Sequence, residues 1–423
     1  LVSGDNGLGL LFRTHGEAYI KSYRPSLVEI KLIRSIRVCK TPALGGRMYT
    51  CKKCNAKTYI YHGCGNSRCP KCQGVKRLQW QDQIANKILQ CPYQHIVFTM
   101  PHQLNTLARN NPYKMYNCLL RSAWATLKTC SAEKSNLGAL PGAIMVLHTF
   151  GSDLKYHVHV HALVTFGGVD GDGHWHWPKR KKKLIPFRQF RTKFRATFVK
   201  HLEKLYPELE TGKPFGHLKS ELYQKSWCVH AERPTMRTKV IQEYLGRYIC
   251  RVGVSKSKLK YDPATQQVTL LFKDYRKAEK GNPNVPLGQK TLAPLVAIDQ
   301  IMRHCLPPYF QKCRYYGLHA SATIKKYKAK LPVQIKNNGH TVRTIFQLIS
   351  ALLGVEEITC DVCQGTDFEM ETIRPDNEYI RPWLQNLPKI RGSPKKKKHI
   401  NLISHLNYSQ PGLAMPAAQG NQT

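Results

Sequence analysis

The sequence predicts an α+β protein with a mostly antiparallel sheet, accessory helices and an N-terminal zinc ribbon or knuckle. Three observations carry that expectation. AIMVLHTF at 143–150 and YHVHVHALVTF at 156–166 are strand-patterned runs joined by the short segment GSDLK, which makes an antiparallel hairpin. Segments of helical period, 113–130 and 187–205, flank that hairpin, so strands and helices are mixed rather than strictly alternating. Two CxxC pairs, Cys51/Cys54 and Cys69/Cys72, lie in a stretch from Cys39 to Cys72 that is too poor in apolar residues to form a core of its own.

Taken in chain order, LVEIKLIRSIR at 27–37 places apolar side chains at helical intervals, and Pro25 and Ser26 suit the start of that helix. GRMYTC and KTYIYH read as short strands around the CKKC turn. Residues 75–90 read as helix, HIVFTM at 95–100 as strand, and GGVDGDGHWHWPKRKKK as a loop or short hairpin. WCVHAE at 227–232 adds a strand, a helix is expected over Arg237–Arg251, VTLLFKDY returns to strand, and 291–305 reads as helix. The organisation expected is an N-terminal helical region (1–38), a zinc-binding module (39–74), a sheet core (75–255), an accessory DNA-binding region (256–370) and a basic flexible tail (371–423).

The formal charge of +40, from 66 Lys and Arg against 26 Asp and Glu, would repel itself unless it faced a dense polyanion. Nucleic acid meets that requirement, whereas a membrane would need an apolar span or a dominant amphipathic anchor, neither of which is seen. The CxxC spacing favours zinc over disulfides and therefore a reducing compartment, and the first residues show no basic-then-apolar leader. Nothing in the sequence asks for export.

Four thiolates enclose one Zn2+ tetrahedrally, and Cys51, Cys54, Cys69 and Cys72 are read as one structural cage. Cys39, His62 and Cys64 could replace a member or help form a second site; the preferred reading is a buried Cys39 with the other two at the surface. Cys360 and Cys363 form another CxxC without a following pair, so a second complete module is not expected.

His157, His159 and His161 alternate with Val158 and Val160, so the imidazoles share one strand face. His148 on the preceding strand can come level with them. The preferred triad for a divalent ion is His148, His159 and His161, with His157 competing for the third place. Tyr244 and Tyr248 in EYLGRY, four positions apart, share one helical face, and Arg237, Lys239, Arg247 and Arg251 would draw phosphate to it. A metal-polarised phosphate attacked by a tyrosine oxygen would leave a 5'-phosphotyrosine and a free 3'-hydroxyl. Trp175 and Trp177 could stack on bases beside the basic run Lys179, Arg180, Lys181, Lys182 and Lys183.

RVCKTPALGG followed by CKKC, CGNSRCPKCQ, HTFGSDLKYHVHVHALVTFGG, EYLGRYICRVGVSKSKL, VTLLFKDYRK and LPPYFQKCRYYG occur in order over residues 24–320. This pattern resembles the IS91-type family of tyrosine transposases within the wider HUH endonuclease group. The resemblance implies an HUH-like nuclease core, with His159-Val160-His161 as the metal motif holding Mg2+ or Mn2+ and Tyr248 and Tyr244 as nucleophiles. It also implies rolling-circle-like transposition on single-stranded DNA at mobile-element ends with hairpin features, followed by transfer to target DNA. Val158 stands where the family commonly has Pro, which removes no ligand. No GxxxxGK[ST] motif is evident, so unwinding would fall to a host helicase or to DNA topology. The competing readings are a replication-initiation nuclease or relaxase, and a zinc-dependent DNA-binding regulator without catalysis.

Overall fold

The computed structural model describes residues 7–375 apart from 67, 73–78, 81–82, 85–86, 210, 212–213, 237–257, 278, 280–283, 337–346 and 348–358. Tyr244, Tyr248, Arg237, Lys239, Arg247 and Arg251 lie outside the described residues, as do half of the helix expected at 75–90 and the tail from 376 onward.

The chain opens with helices α1 (Leu8–Tyr23) and α2 (Leu27–Val38). At the start of α2 the Ser26 hydroxyl accepts from the Glu29 amide while the Glu29 carboxylate accepts from the Ser26 amide, a reciprocal cap that satisfies two otherwise orphaned donors. Leu32, Ile33 and Ile36 form the buried stripe of this helix. A hairpin of β1 (Gly46–Cys51) and β2 (Lys57–Tyr61) follows, as expected from the sequence.

The central sheet is built from β3 (Tyr93–Thr99), β4 (Leu140–Phe150), β5 (Tyr156–Val169), β6 (Trp175–His176), β7 (Val229–Ala231) and, later in the chain, β11 (Cys313–Gly317). Its order is β11-β4-β5-β3-β7, with β6 paired to the end of β5, and every pairing is antiparallel. Antiparallel neighbours need only short connections, which is why the five-residue turn between β4 and β5 suffices. The strands of that pair run further than their apolar cores suggested: β4 starts at Leu140 and β5 reaches Val169. Gly168 permits this extension, since a Cβ there would stand 2.5 Å from the Leu140 carbonyl oxygen.

Helices α3 (Asn105–Asn110), α4 (Pro112–Ala132), α5 (Phe187–Leu205) and α6 (Phe215–Gln224) belong to the same body. Phe98 of β3, Val158 and Val160 of β5 and Leu147 of β4 point to one face and share a core with Phe190, Phe194 and Phe198 of α5. Because strand side chains alternate, the residues between them must emerge on the other face. That face is apolar at one end, where Tyr93, Ile144 and Leu163 pack with Leu318 and Tyr327, and becomes polar toward the β4–β5 turn.

A second sheet, β8 (Leu259–Asp262), β9 (Gln267–Lys273) and β10 (Leu287–Leu292), precedes α7 (Pro294–Met302). The helix expected from 291 starts at Pro294 instead, because Thr291 and Leu292 are paired with β9 and proline favours the first helical position. This unit shares a core with α1 and α2 through Leu11, Phe12, Ile33, Leu270 and Ile298, and Leu154 at the β4–β5 turn is buried in it. Helix α8 (Ser321–Tyr327) follows β11, and β12 (Phe368–Ile373) returns to pair with β1 from Gly46 opposite Ile373 to Cys51 opposite Phe368. Residues 371–373, expected to begin the tail, thus form the end of a strand.

Candidate metal centres and the histidine site

The polar end of the sheet face carries three imidazoles. His148 and His159 are directly opposite across β4 and β5, and His161 lies two residues on, so one face receives all three. One ring nitrogen of each lies within 4.8 Å of the others, and the side chains are nearly closed to solvent, at 3%, 8% and 8% exposure. His148 stacks on Phe150 with ring centroids 5.0 Å apart, which restricts its ring.

His157 falls in the register shift between the His148/His159 and Phe150/Tyr156 pairs. A bulge of this kind re-aims its residues, and the ring of His157 is outside the three-imidazole group. Its backbone carbonyl has a different use: it accepts a hydrogen bond from His159 Nδ1 at 2.9 Å. With the proton held on Nδ1, the His159 Nε2 lone pair faces His161 Nε2 at 3.0 Å, ready to bind a shared cation.

Two residues that sequence reasoning missed complete the arrangement. His95 of β3 places Nε2 3.0 Å from His161 Nδ1, and its own Nδ1 lies 3.0 Å from a Glu232 carboxylate oxygen. Burial lowers the His95 pKa, against the smaller upward pull of Glu232. The neutral ring can therefore accept the His161 Nδ1 proton while giving its own to Glu232, leaving His161 Nε2 as a donor to metal. His95 was legible only as one polar residue in HIVFTM; its alignment with His161 arises from the β3–β5 register. Three neutral nitrogens suit a divalent transition ion better than Mg2+, which prefers oxygen.

The cysteines form two groups rather than one. Cys39, Cys64, Cys69 and Cys72 converge, with Cys39 and Cys72 sulfurs 3.3 Å apart and Cys64 and Cys72 3.7 Å apart. Cys51 and Cys54 instead converge with Cys360 and Cys363. The single cage Cys51/Cys54/Cys69/Cys72 is thus corrected: Cys39 and Cys64 join Cys69 and Cys72, while Cys360 and Cys363 join Cys51 and Cys54. The physical reason is the hairpin. Six residues of β1 reach roughly 17 Å at about 3.3 Å per step, so the CKKC knuckle at the tip is held away from the base. At that base the His62 amide donates to Gly45 and the Lys40 amide to His62, which brings Cys39 and Cys64 to Cys69 and Cys72. The sulfur contacts of the first group, foremost those with Cys39, drive the Cys72 thiol down and the Cys64 and Cys69 thiols up. Four sulfurs at these spacings fit zinc.

Trp175 lies against Gly167, where a Cβ would stand 2.4 Å from its ring, so much of its surface is used on the sheet. Trp177 is 52% exposed beside it, with ring centroids 5.6 Å apart. Lys179, Lys181, Lys182 and Lys183 are exposed, whereas the Arg180 guanidinium donates to the Ser135 carbonyl and to Asn136 Oδ1.

Comparison with known proteins bears directly on the reading of this site. The model described as "Transposase zinc-binding domain" matches residues 11–100, and the model described as "Putative transposase" matches 142–327, which includes the β4–β5 histidines. Over 323 residues the chain is 31% identical to "Putative transposase y4qJ" of Sinorhizobium fredii (strain NBRC 101917 / NGR234), covering 73% of this chain and 78% of the relative. The chain belongs to the IS91-type tyrosine transposase family. It is also 26% identical over 353 residues to the transposase for insertion sequence element IS801 of Pseudomonas savastanoi pv. phaseolicola, covering 79% and 82% of the two chains. No solved structure matches. His148, His159 and His161 lie within the segment that matches the transposase model, and their three ring nitrogens could hold one metal ion.

Proposed function

We propose that this transposase nicks single-stranded DNA at the ends of a mobile element and passes the strand to target DNA through a 5'-phosphotyrosine intermediate. The observation that carries the reading is the convergence of His148, His159 and His161 on one buried sheet face in a chain of this family. These three rings would hold the divalent ion, with Mn2+ favoured over Mg2+ by the nitrogen donors. When bound, it would polarise the scissile phosphate and stabilise charge on its oxygens.

The remaining chemistry belongs to side chains. The His157 carbonyl holds the His159 proton on Nδ1, and His95 with Glu232 does the same for His161, so the donors are set before substrate arrives. A phenolic oxygen of Tyr248 or Tyr244 forms a bond to phosphorus as the bond from phosphorus to the 3'-oxygen breaks. The departing oxygen takes a proton and becomes the 3'-hydroxyl, and the phosphotyrosine keeps the phosphoester available for rejoining. A phenol with a pKa near 10 needs neighbouring positive charge to attack, a role for Arg237, Lys239, Arg247 and Arg251. A second tyrosine can receive another strand while the first is occupied. Lys179, Lys181, Lys182, Lys183 and exposed Trp177 suit the phosphates and bases of single-stranded ends with hairpin features. Unwinding is left to a host helicase or DNA topology, and the setting proposed is the bacterial cytoplasm or nucleoid. No helix among the described residues is long and apolar enough to cross a membrane.

The test incubates the full chain with labelled single-stranded element ends and Mn2+ or Mg2+, followed by denaturing electrophoresis. A covalent protein–DNA adduct is expected for the wild type, retained in at least one of Y244F and Y248F and lost in the double variant. An adduct that persists in the double variant rejects the nucleophile assignment.

A further inference from the structure

We infer that Cys51, Cys54, Cys360 and Cys363 form a second structural zinc site, closing a discontinuous ribbon in which a late segment of the chain clamps onto the N-terminal hairpin. The zinc-binding family model ends at residue 100, before two of these ligands. Cys51 and Cys363 sulfurs are 3.5 Å apart and Cys54 and Cys360 sulfurs 3.6 Å apart. A tetrahedron with zinc–sulfur bonds of about 2.3 Å has edges of about 3.8 Å, so a small expansion admits the ion. The spacings are much longer than the roughly 2 Å of a disulfide, and the four cysteines are free.

The backbone repeats at both knuckles. In CKKCNA the Asn55 amide donates to Cys51 carbonyl at 2.8 Å, Asn55 has φ 57°, and the Cys51 amide donates to Ala56 carbonyl. In CDVCQG the Gln364 amide donates to Cys360 carbonyl at 2.9 Å, Gln364 has φ 59°, and the Cys360 amide donates to Gly365 carbonyl. Two turns with the same bonds and the same left-handed residue thus present their sulfurs to each other.

The rest of the ribbon has little else to hold it. β12 has four exposed residues in the middle of its six, and Ile60, Met370 and Val362 are all exposed. Among the described residues of β1, β2, β12 and the two knuckles, Gly46, Cys51 and Cys360 are the buried ones and none carries a large apolar side chain, so apolar burial adds little cohesion. The Lys52–Asp367 ion pair at 3.2 Å is exposed to solvent and adds little alone. Metal binding provides the missing term and makes the strand pairing depend on it.

The test measures zinc by elemental mass spectrometry in the full chain carrying H159A and H161A, which removes the histidine site as a competing zinc binder. Two zinc ions per chain are expected, one after adding C360S and C363S, and one after adding C64S and C69S instead. An unchanged count on adding C360S and C363S overturns the proposal. Because those variants can misfold, the unsubstituted cysteine set is also loaded with 113Cd. Two tetrathiolate resonances are expected by NMR, and a single one overturns the proposal. Thiol mapping by mass spectrometry on protein purified without oxygen should find all four cysteines reduced; a Cys51–Cys363 or Cys54–Cys360 disulfide overturns it. None of these readouts depends on DNA cleavage.

Discussion

The histidine site and the ribbon cage are both convergent ligand sets, but they are assembled by opposite means. The imidazoles come from two strands joined by a five-residue turn and stand on a sheet whose other face is filled by Phe98, Val160, Phe190 and Phe194. Their positions are set by a packed core before any ion binds. The cage draws Cys51 and Cys54 from the first hairpin and Cys360 and Cys363 from the far end of the described chain, on a ribbon with almost no core. One site uses a scaffold, whereas at the other the ion supplies much of the scaffold. Removing metal should therefore leave the sheet intact and loosen the ribbon.

The largest effect expected is functional. His159→Ala or His161→Ala should bring formation of the DNA adduct down by at least about 100-fold, since a direct ligand to the charge-stabilising ion is lost. Circular dichroism and thermal unfolding should stay close to wild type if the core alone shapes that sheet. Collapse of the fold in both variants would break the comparison.

Acid should affect stability through histidines used as packing rather than ligands. Burial pushes the pKa of His304 and His319 down to about 4 from an ordinary 6.5. The unfolded chain takes up these protons below 6.5 while the folded chain refuses them until about 4. Their contribution is thus complete above 6.5 and lost as pH falls through that interval, up to about 3 kcal/mol for each. Urea midpoints measured between pH 7 and 4 should decline, and H304Q should flatten the decline. An equal slope in H304Q would show that His304 titrates normally in the fold.

Glu232→Gln removes the carboxylate behind His95 without removing bulk. Mn2+ affinity at the histidine site should weaken about 10-fold to 100-fold, with adduct formation recovered at higher Mn2+. The titration should be made on the variant and wild type side by side. An unaltered Mn2+ requirement would mean that the register of β3 against β5, rather than this hydrogen-bonded chain, orients His161. The smallest change expected is Ser26→Ala, which loses the cap of α2 and about 1 kcal/mol in urea unfolding, with no change in metal content.

Legibility followed locality. Helix α2 and its cap, the β1–β2 hairpin, helix α5 and the shared face of His148, His159 and His161 were all readable, because each depends on residues a few positions apart. The same rule misled at the cysteines. Cys51/Cys54 and Cys69/Cys72 are close in sequence, and pairing them ignored the rigid length of the hairpin between the knuckle and its base. Cys360 seemed to lack a partner pair because that pair lies near the other end of the chain. His95 and Glu232 carried no motif; they reach His161 only through the pairing of β3 with β5 and β7.

By itself the amino-acid order determined the periodic elements, the excess of positive charge and the kinds of donor atom available, since these follow from short-range sterics and side-chain chemistry. Only the tertiary structure decided which cysteines meet, which histidine gives a carbonyl rather than a ring, and which carboxylate stands behind the ligands. Those choices depend on strand register and on segments hundreds of residues apart, where the geometry of the intervening body, not spacing along the chain, sets the distance.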